Sequence, residues 1–290
     1  FMRFLTKNNL INNKHIPFNY KCNSRNIQLQ LLAGIIDSDG YQRETNPELK
    51  KLDVLSLKNT SASATYTTAS VHSMLSYKGD TSDNYEPLPN YLQRTGVDVI
   101  WRSKNWGEPT LKIQTYERDT DLKASCKGDD CDMDGVLLTG LKERIISSKQ
   151  NKVFVVLHTS GSHGPTYYTK YPSRFEIFKP GCKTVELKEC SQQQLVNSYD
   201  NTIVYTDYFL SQVIKMLKEL KDTPSTMIYM SDHGESLGEN GLYLHGTPFA
   251  IAPDVQKKIP FIIRRPIPGG GCEYWNLKDL EVIQLLSVII

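Results

Sequence analysis

Thr226-Met227-Ile228-Tyr229-Met230-Ser231-Asp232-His233-Gly234-Glu235 is the stretch on which the fold turns. Five residues suited to a buried strand run straight into a turn carrying Asp, His and Glu around a glycine. Just upstream, residues 190–219 hold Leu195, Tyr199, Ile203, Thr206, Leu210, Ile214 and Leu217 at spacings of three and four, the stripe of a long helix with one buried face. Working outward, residues 52–57, 97–101, 153–157 and 259–263 read as further strands. Residues 87–95 and 133–147 read as helices, and the Ser/Thr/Ala tract 59–70 leads into another. Strands separated by helices of this length predict an α/β fold, a mostly parallel central sheet with helices on both faces. In such sheets ligands bind at the carboxyl ends of the strands, where Ser231–Glu235 falls.

The bulk properties narrow the partners. In 290 residues, 34 Lys plus Arg nearly balance 32 Asp plus Glu, for a net charge of +2. That leaves no polybasic surface for nucleic acid. The apolar run 283–290 is far shorter than the ~20 residues that cross a bilayer, and no apolar segment follows Met2 as in a secretory leader. Of six cysteines, Cys126 with Cys131 and Cys182 with Cys190 bracket polar stretches. This is a setting for loop-stapling disulfides in an oxidising compartment, with free thiols the alternative. No paired CxxC motif points to a zinc knot.

Asp232 and His233 together offer an oxygen and a nitrogen to a divalent ion, and Gly234 allows a close turn. His163, in His158-Thr159-Ser160-Gly161-Ser162-His163-Gly164-Pro165, and His245, in Leu244-His245-Gly246-Thr247-Pro248, lie on separate loops that can converge on the same strand ends. Against that, the Asp could merely cap a helix, and a loop histidine is often only exposed. A metal beside such histidines suits phosphoryl or sulfuryl transfer with a hydroxyl nucleophile. The tract 60–70 is so rich in Ser and Thr that composition alone does not select one.

Here the ordered segments resemble a family. Asp232 through Gly241 followed by Tyr243-Leu244-His245-Gly246, together with Tyr199 through Asp207, His158 through Tyr168 and Gly40 through Pro47, are similar to the bacterial phosphoethanolamine transferases that modify lipid A, the colistin-resistance type. The resemblance implies an alkaline phosphatase-like catalytic domain over residues 40–290, strongest over 40–263, behind an atypical segment 1–39. It implies one or two zinc ions, phosphatidylethanolamine as donor and lipid A as acceptor. It also implies a monomer joined to an N-terminal membrane domain, at the periplasmic face of the bacterial inner membrane. The family's metal-binding Asp and His fall on Asp232 and His233, and its further active-site histidines on His163 and His245. Counting eight residues from Asn59, or back from Met74-Leu75-Ser76, assigns the nucleophilic threonine to Thr67, itself a zinc ligand; Thr65 is the weaker choice. Glu235 and Asn105 match substrate-binding positions. The resemblance favours disulfides for Cys126–Cys131 and Cys182–Cys190, whereas Ser63 and Ser73 replace a cysteine pair that often brackets the threonine.

Two departures accompany the likeness. The family's zinc-binding Glu, at the end of its first strand, has no counterpart: eleven residues before Gly40 stands Leu29, and no glutamate precedes Glu44. The apolar run 29–36 could supply that strand's packing but not its carboxylate. Beyond Ile263 the sequence also leaves the family pattern. An inactive or truncated relative is therefore one alternative. A phosphoglycerol transferase, sulfatase or phosphatase on the same scaffold is another, and a non-catalytic lipid- or carbohydrate-binding module a third.

Overall fold

The computed structural model describes residues 54–57, 59–82, 84–220 and 223–264, and the backbone of 285–289. The atypical segment 1–39, with its run 29–36, and the Gly40–Pro47 segment lie outside the described residues.

In chain order the strands are β1 (Leu55–Leu57), β2 (Asp98–Ser103), β3 (Thr115–Arg118), β4 (Val153–His158), β5 (Ser225–Met230), β6 (Ser236–Leu237), β7 (Tyr243–Leu244), β8 (Phe261–Arg264) and β9 (Leu285–Ile289). The main sheet has the order β1-β8-β5-β9-β4-β2-β3. From β5 through β9, β4 and β2 to β3 every pairing is parallel, while β8 runs antiparallel to β5 and β1. The helices are α1 (Thr67–Leu75), α2 (Leu88–Arg94), α3 (Asp119–Lys123), α4 (Leu141–Ile146), α5 (Gln192–Glu219) and α6 (Asp254–Lys257).

Alternation along each strand divides two cores. Val99, Trp101, Phe154 and Val156 face Val71 and Leu75 of α1. Ile100, Val155, Leu157 and Met227 face Leu210, Val213, Ile214 and Leu217 of α5, with Leu141 and Ile145 of α4. Both faces of β2 and β4 are thus buried, as a parallel sheet requires. Ser191 starts α5 as a capping box: its hydroxyl accepts from the Gln194 amide, and Gln194 Oε1 accepts from the Ser191 amide.

Some expectations need correcting. The helix over 133–147 is broken in two, a 3-10 turn Asp134–Leu138 and then α4, because Gly140 takes φ +60° and the chain turns there. The tract 59–70 does lead into a helix, α1, which begins at Thr67 after bends over 63–66. On α5 the stripe is rotated in the N-terminal half. Thr202 and Tyr205 are buried where Ile203 and Thr206 were expected. That half packs polar groups against loops: Asn201 Oδ1 accepts the Ile177 and Phe178 amides, and Ser198 Oγ accepts the Cys182 amide. Lastly, the run 283–290 yields β9, seated between β4 and β5.

An ion pair fastens the start of β2. Arg144 Nη1 and Nη2 donate to Asp98 Oδ2 and Oδ1 at 2.8 and 2.9 Å, and Nη2 also reaches Thr115 Oγ1 on β3. The Arg144 hydrogen bond, outweighing burial, holds the Asp98 pKa below its ordinary 3.8. A carboxylate with a depressed folded-state pKa contributes stability above its unfolded pKa and loses it as pH falls through the folded one. Asp98→Asn is therefore expected to cost about 1–2 kcal/mol at pH 7. In urea melts the gap to wild type should narrow below pH 4; a gap that persists unchanged at pH 3 would contradict the assignment.

Candidate active site

Parallel strands deliver their following loops to one edge. Ser103 and His158 end β2 and β4, and Ser231–His233 follow β5. The β5 loop turns tightly at Gly234, where an added Cβ would stand 1.9 Å from the Val255 carbonyl oxygen. The Gly234 amide donates to the Gln256 carbonyl, while the wholly buried Gln256 side chain donates to Ser236 Oγ and accepts from the Thr247 amide. One residue of α6 thereby locks the loops bearing His233 and His245. Leu244 sits in the left-handed region at φ +65°, an unfavourable place for a side-chain-bearing residue, immediately before His245.

The threonine arrives from the opposite side. Ala62 and Ile259 amides bond the Lys257 and Thr60 carbonyls, and the Gly246 amide donates to the Thr65 carbonyl. Thr65 Oγ1 donates to the Thr247 carbonyl at 2.6 Å, which engages the weaker nucleophile candidate in holding the His245 loop. Thr67 opens α1 and is 7% exposed. The first amides of a helix lack intrahelical partners and carry its positive dipole end, a setting that favours negative charge at Thr67. Where the family often has its extra cysteine pair, the Ser73 and Ser63 hydroxyls lie 2.7 Å apart.

Thr67 Oγ1 stands 3.4 Å from His233 Nε2, which stands 3.5 Å from Asp232 Oδ2. His233 Nδ1 lies 2.9 Å from the Gly234 carbonyl, which can only accept, so the proton sits on Nδ1 and Nε2 presents its lone pair. Asp232 Oδ2 is buried with no hydrogen-bond partner among the described residues. Ligands each 2.0–2.2 Å from a tetrahedral zinc lie roughly 3.3–3.6 Å apart, and both spacings about His233 Nε2 match that separation. A second grouping shares His233: its ring, Glu235 and His245 offer donor atoms within 4.8 Å of one another.

Glu235 is 9% exposed, accepts from Tyr167 Oη at 3.1 Å, and has Oε2 3.1 Å from His245 Nδ1. Burial opposes charge on His245, but the Glu235 hydrogen bond, its charge and that of Asp232 prevail, leaving the pKa above its ordinary value. The His163 ring centroid is 4.9 Å from that of His245, and burial pushes its pKa down. His163 Nδ1 donates to the Gly164 carbonyl, so its Nε2 is free as well. The expected His163, His233, His245, Glu235, Asp232 and Thr67 thus form one linked cluster. Asn105 differs: its side chain donates to the Thr159 carbonyl and accepts from the Trp106 amide, tying the β2 loop to the β4 loop. Both expected disulfides, Cys126–Cys131 and Cys182–Cys190, are present.

Sequence reasoning missed three supporting residues. Tyr167 fixes Glu235, and Gln256 joins the loops. Asp134 accepts the Ser160 and Gly161 amides at 2.8 and 2.9 Å, holding the loop that carries His163. All three act across the fold and carry no local pattern of their own, although Tyr167 lies inside the His158–Tyr168 segment that carries the family likeness.

The sulfatase family matches residues 31–268. Phosphoethanolamine transferase EptA of Escherichia coli K12 is 44% identical over 235 residues, 78% of this chain and 43% of that protein. Phosphatidylethanolamine transferase Mcr-1 is 36% identical, over 79% of this chain and 45% of its own. The chain thus spans less than half the length of these curated relatives. Among solved structures, the C-terminal periplasmic domain of EptC from Campylobacter jejuni is 36% identical with a TM-score of 0.69, covering 86% of this chain and 78% of that one. The integral membrane EptA of Neisseria meningitidis is 33% identical with a TM-score of 0.70, over 86% of this chain and 48% of its own. No helix among the described residues is long and apolar enough to cross a membrane. With a sulfatase-family match over residues 31–268 and 36% identity to a phosphoethanolamine transferase periplasmic domain of which it covers 78%, this chain belongs to the phosphoethanolamine transferases of the sulfatase family.

Proposed function

We propose that this chain is the catalytic domain of a zinc-dependent enzyme that moves phosphoethanolamine from phosphatidylethanolamine to lipid A through a phosphothreonine at Thr67. The observation that carries this reading is the 3.4 and 3.5 Å spacing that links Thr67 Oγ1, His233 Nε2 and Asp232 Oδ2 at the strand ends. Zinc bound there would supply Lewis acidity that lowers the hydroxyl pKa and polarises the phosphoryl oxygens. Asp232 and His233 would hold it beside Thr67, and Glu235 offers a further carboxylate in the His233 grouping.

Thr67 gives its hydroxyl proton to solvent, and Oγ1 attacks the donor phosphorus as the bond to the glycerolipid oxygen breaks. His245, with Nδ1 held by Glu235, presents Nε2 to give that oxygen its proton. His163, kept neutral by burial, takes the proton of the incoming acceptor when the Thr67–phosphorus bond is broken in the second half. The α1 N-terminus stabilises charge on the phosphoryl oxygens. Tyr66 and Trp106, 50% and 65% exposed beside Thr67 and Gly107, are ring systems suited to a lipid headgroup region. In sequence the family glutamate is absent, and in the sheet β9 occupies the place between β4 and β5 without a carboxylate of its own. Glu235 is the described carboxylate that shares the His233 grouping.

The test offers zinc-loaded chain labelled phosphatidylethanolamine and phosphatidylglycerol side by side. Label is expected on Thr67 from the ethanolamine donor alone. Label from the glycerol donor would favour a phosphoglycerol transferase, and release of free headgroup phosphate without labelled protein would favour a phosphatase.

A further inference from the structure

Beside the His163 loop lies a hollow of about 380 Å³, lined by Lys104, Asp132, Met133, Asp134, Ser160, Thr169 and Lys170. Its volume falls within the roughly 300–1,000 Å³ of small-molecule clefts. The acidic groups are already engaged. Both Asp134 oxygens accept loop amides, and Asp132 pairs with Lys123. The ammonium groups are not exhausted: Lys170 Nζ donates to Ser160 Oγ at 2.7 Å and Lys104 Nζ to Asp119 Oδ2 at 3.2 Å, leaving further N–H donors on each. Lys170 is half-buried; burial works most against its charged form, the Asp134 carboxylate favours it, and the nearby Lys104 charge repels it. An anion between the two lysines would offset that repulsion, whereas the ammonium of an ethanolamine headgroup would meet like charge. Hydroxyls of Ser160 and Thr169 complete a lining suited to a polyhydroxylated ligand and unsuited to an acyl chain.

We propose that this hollow is a sugar-phosphate subsite that seats the phosphorylated sugar of the acceptor, resting on the transferase reading above. Ser160 lies three residues before His163, so an occupant bonded to Lys170 and Ser160 is held by the loop that delivers the acceptor's base. The site selects the second substrate and takes no part in attack on the donor.

The test titrates the chain with glucosamine 1-phosphate, followed by calorimetry and by amide chemical shifts. Saturable binding is expected, with shifts centred on Ser160, Thr169 and Lys170, weakened about tenfold or more by Lys104→Met and restored in part by Lys104→Arg. In steady-state transfer, Lys104→Met is expected to raise the acceptor KM by a similar factor. Absent binding, or binding indifferent to both Lys104→Met and Lys170→Met, would overturn the proposal. Inorganic phosphate binding as tightly with the same lysine dependence would overturn its sugar component. Because binding is read without turnover, lysine-dependent binding in a chain that never labels Thr67 would support the subsite and count against the transferase reading alone.

Discussion

Thr67→Ala is expected to abolish transfer, by about 10⁴-fold or more, while zinc content stays close to wild type. The reason is positional. Thr67 Oγ1 is buried at the first turn of α1 and within 3.4 Å of His233 Nε2, whereas Thr65 spends its hydroxyl on the Thr247 carbonyl. Alanine removes the hydroxyl and the γ-methyl and is the better helix former, so α1 is not unfolded. Asp232 and His233 remain, so the metal should stay. Thr65→Ala is expected to lower activity far less, through loosening of the His245 loop. Turnover persisting in Thr67→Ala at more than a hundredth of wild type, with zinc bound, would remove Thr67 as nucleophile. A large loss in Thr65→Ala alone would move the role there.

The second large effect concerns Asp232. Its Oδ2 is buried without a hydrogen-bond partner among the described residues, a costly state for a carboxylate unless a cation satisfies it. Adding zinc to a hundredfold excess over its dissociation constant should stabilise the wild type by about 2.7 kcal/mol, which for a domain of this size raises Tm by roughly 5–10 °C. Asp232→Asn is expected to remove most of that rise and to abolish transfer. It should leave the metal-free protein as stable as metal-free wild type or more so, since the unpaired charge is gone. Thermal melts with and without zinc decide the matter: an Asn variant that retains the full zinc-dependent rise would exclude Asp232 as a ligand.

How much of this was legible before the structure varies by element, and for physical reasons. The α5–β5 unit could be read because a three-and-four stripe and a five-residue apolar run each report a local period, and Ser191 marks the helix start. The strand-end cluster was legible because Asp232, His233 and Glu235 are adjacent in sequence, while the Thr67 assignment rested on spacing in a family. By contrast, β3 alternates Thr115, Tyr116, Glu117 and Arg118, with charge enough to pass for a loop; its place is set by Glu117 accepting from buried Arg102 across the strand pair. β9 looked only like a short apolar tail. A five-residue run carries no information on which two strands will flank it, and here the flanking pair is β4 and β5. The rotation of the α5 stripe was hidden because its buried N-terminal positions are polar, paid for by hydrogen bonds to distant loops. Asn105 matched a substrate position through the family likeness; its side-chain bonds to Thr159 and Trp106 are contacts that only tertiary structure reveals.

The family glutamate gives the sharpest contrast between inherited expectation and this chain. Two donor groupings meet at His233, one running to Asp232 and Thr67 and the other to Glu235 and His245. Crystals grown with zinc and measured at the zinc absorption edge distinguish them directly. The account predicts an anomalous peak within about 2.0–2.3 Å of Asp232 Oδ2, His233 Nε2 and Thr67 Oγ1 together. A peak confined to His233, Glu235 and His245, with the Thr67 hydroxyl beyond ligand distance, would contradict it.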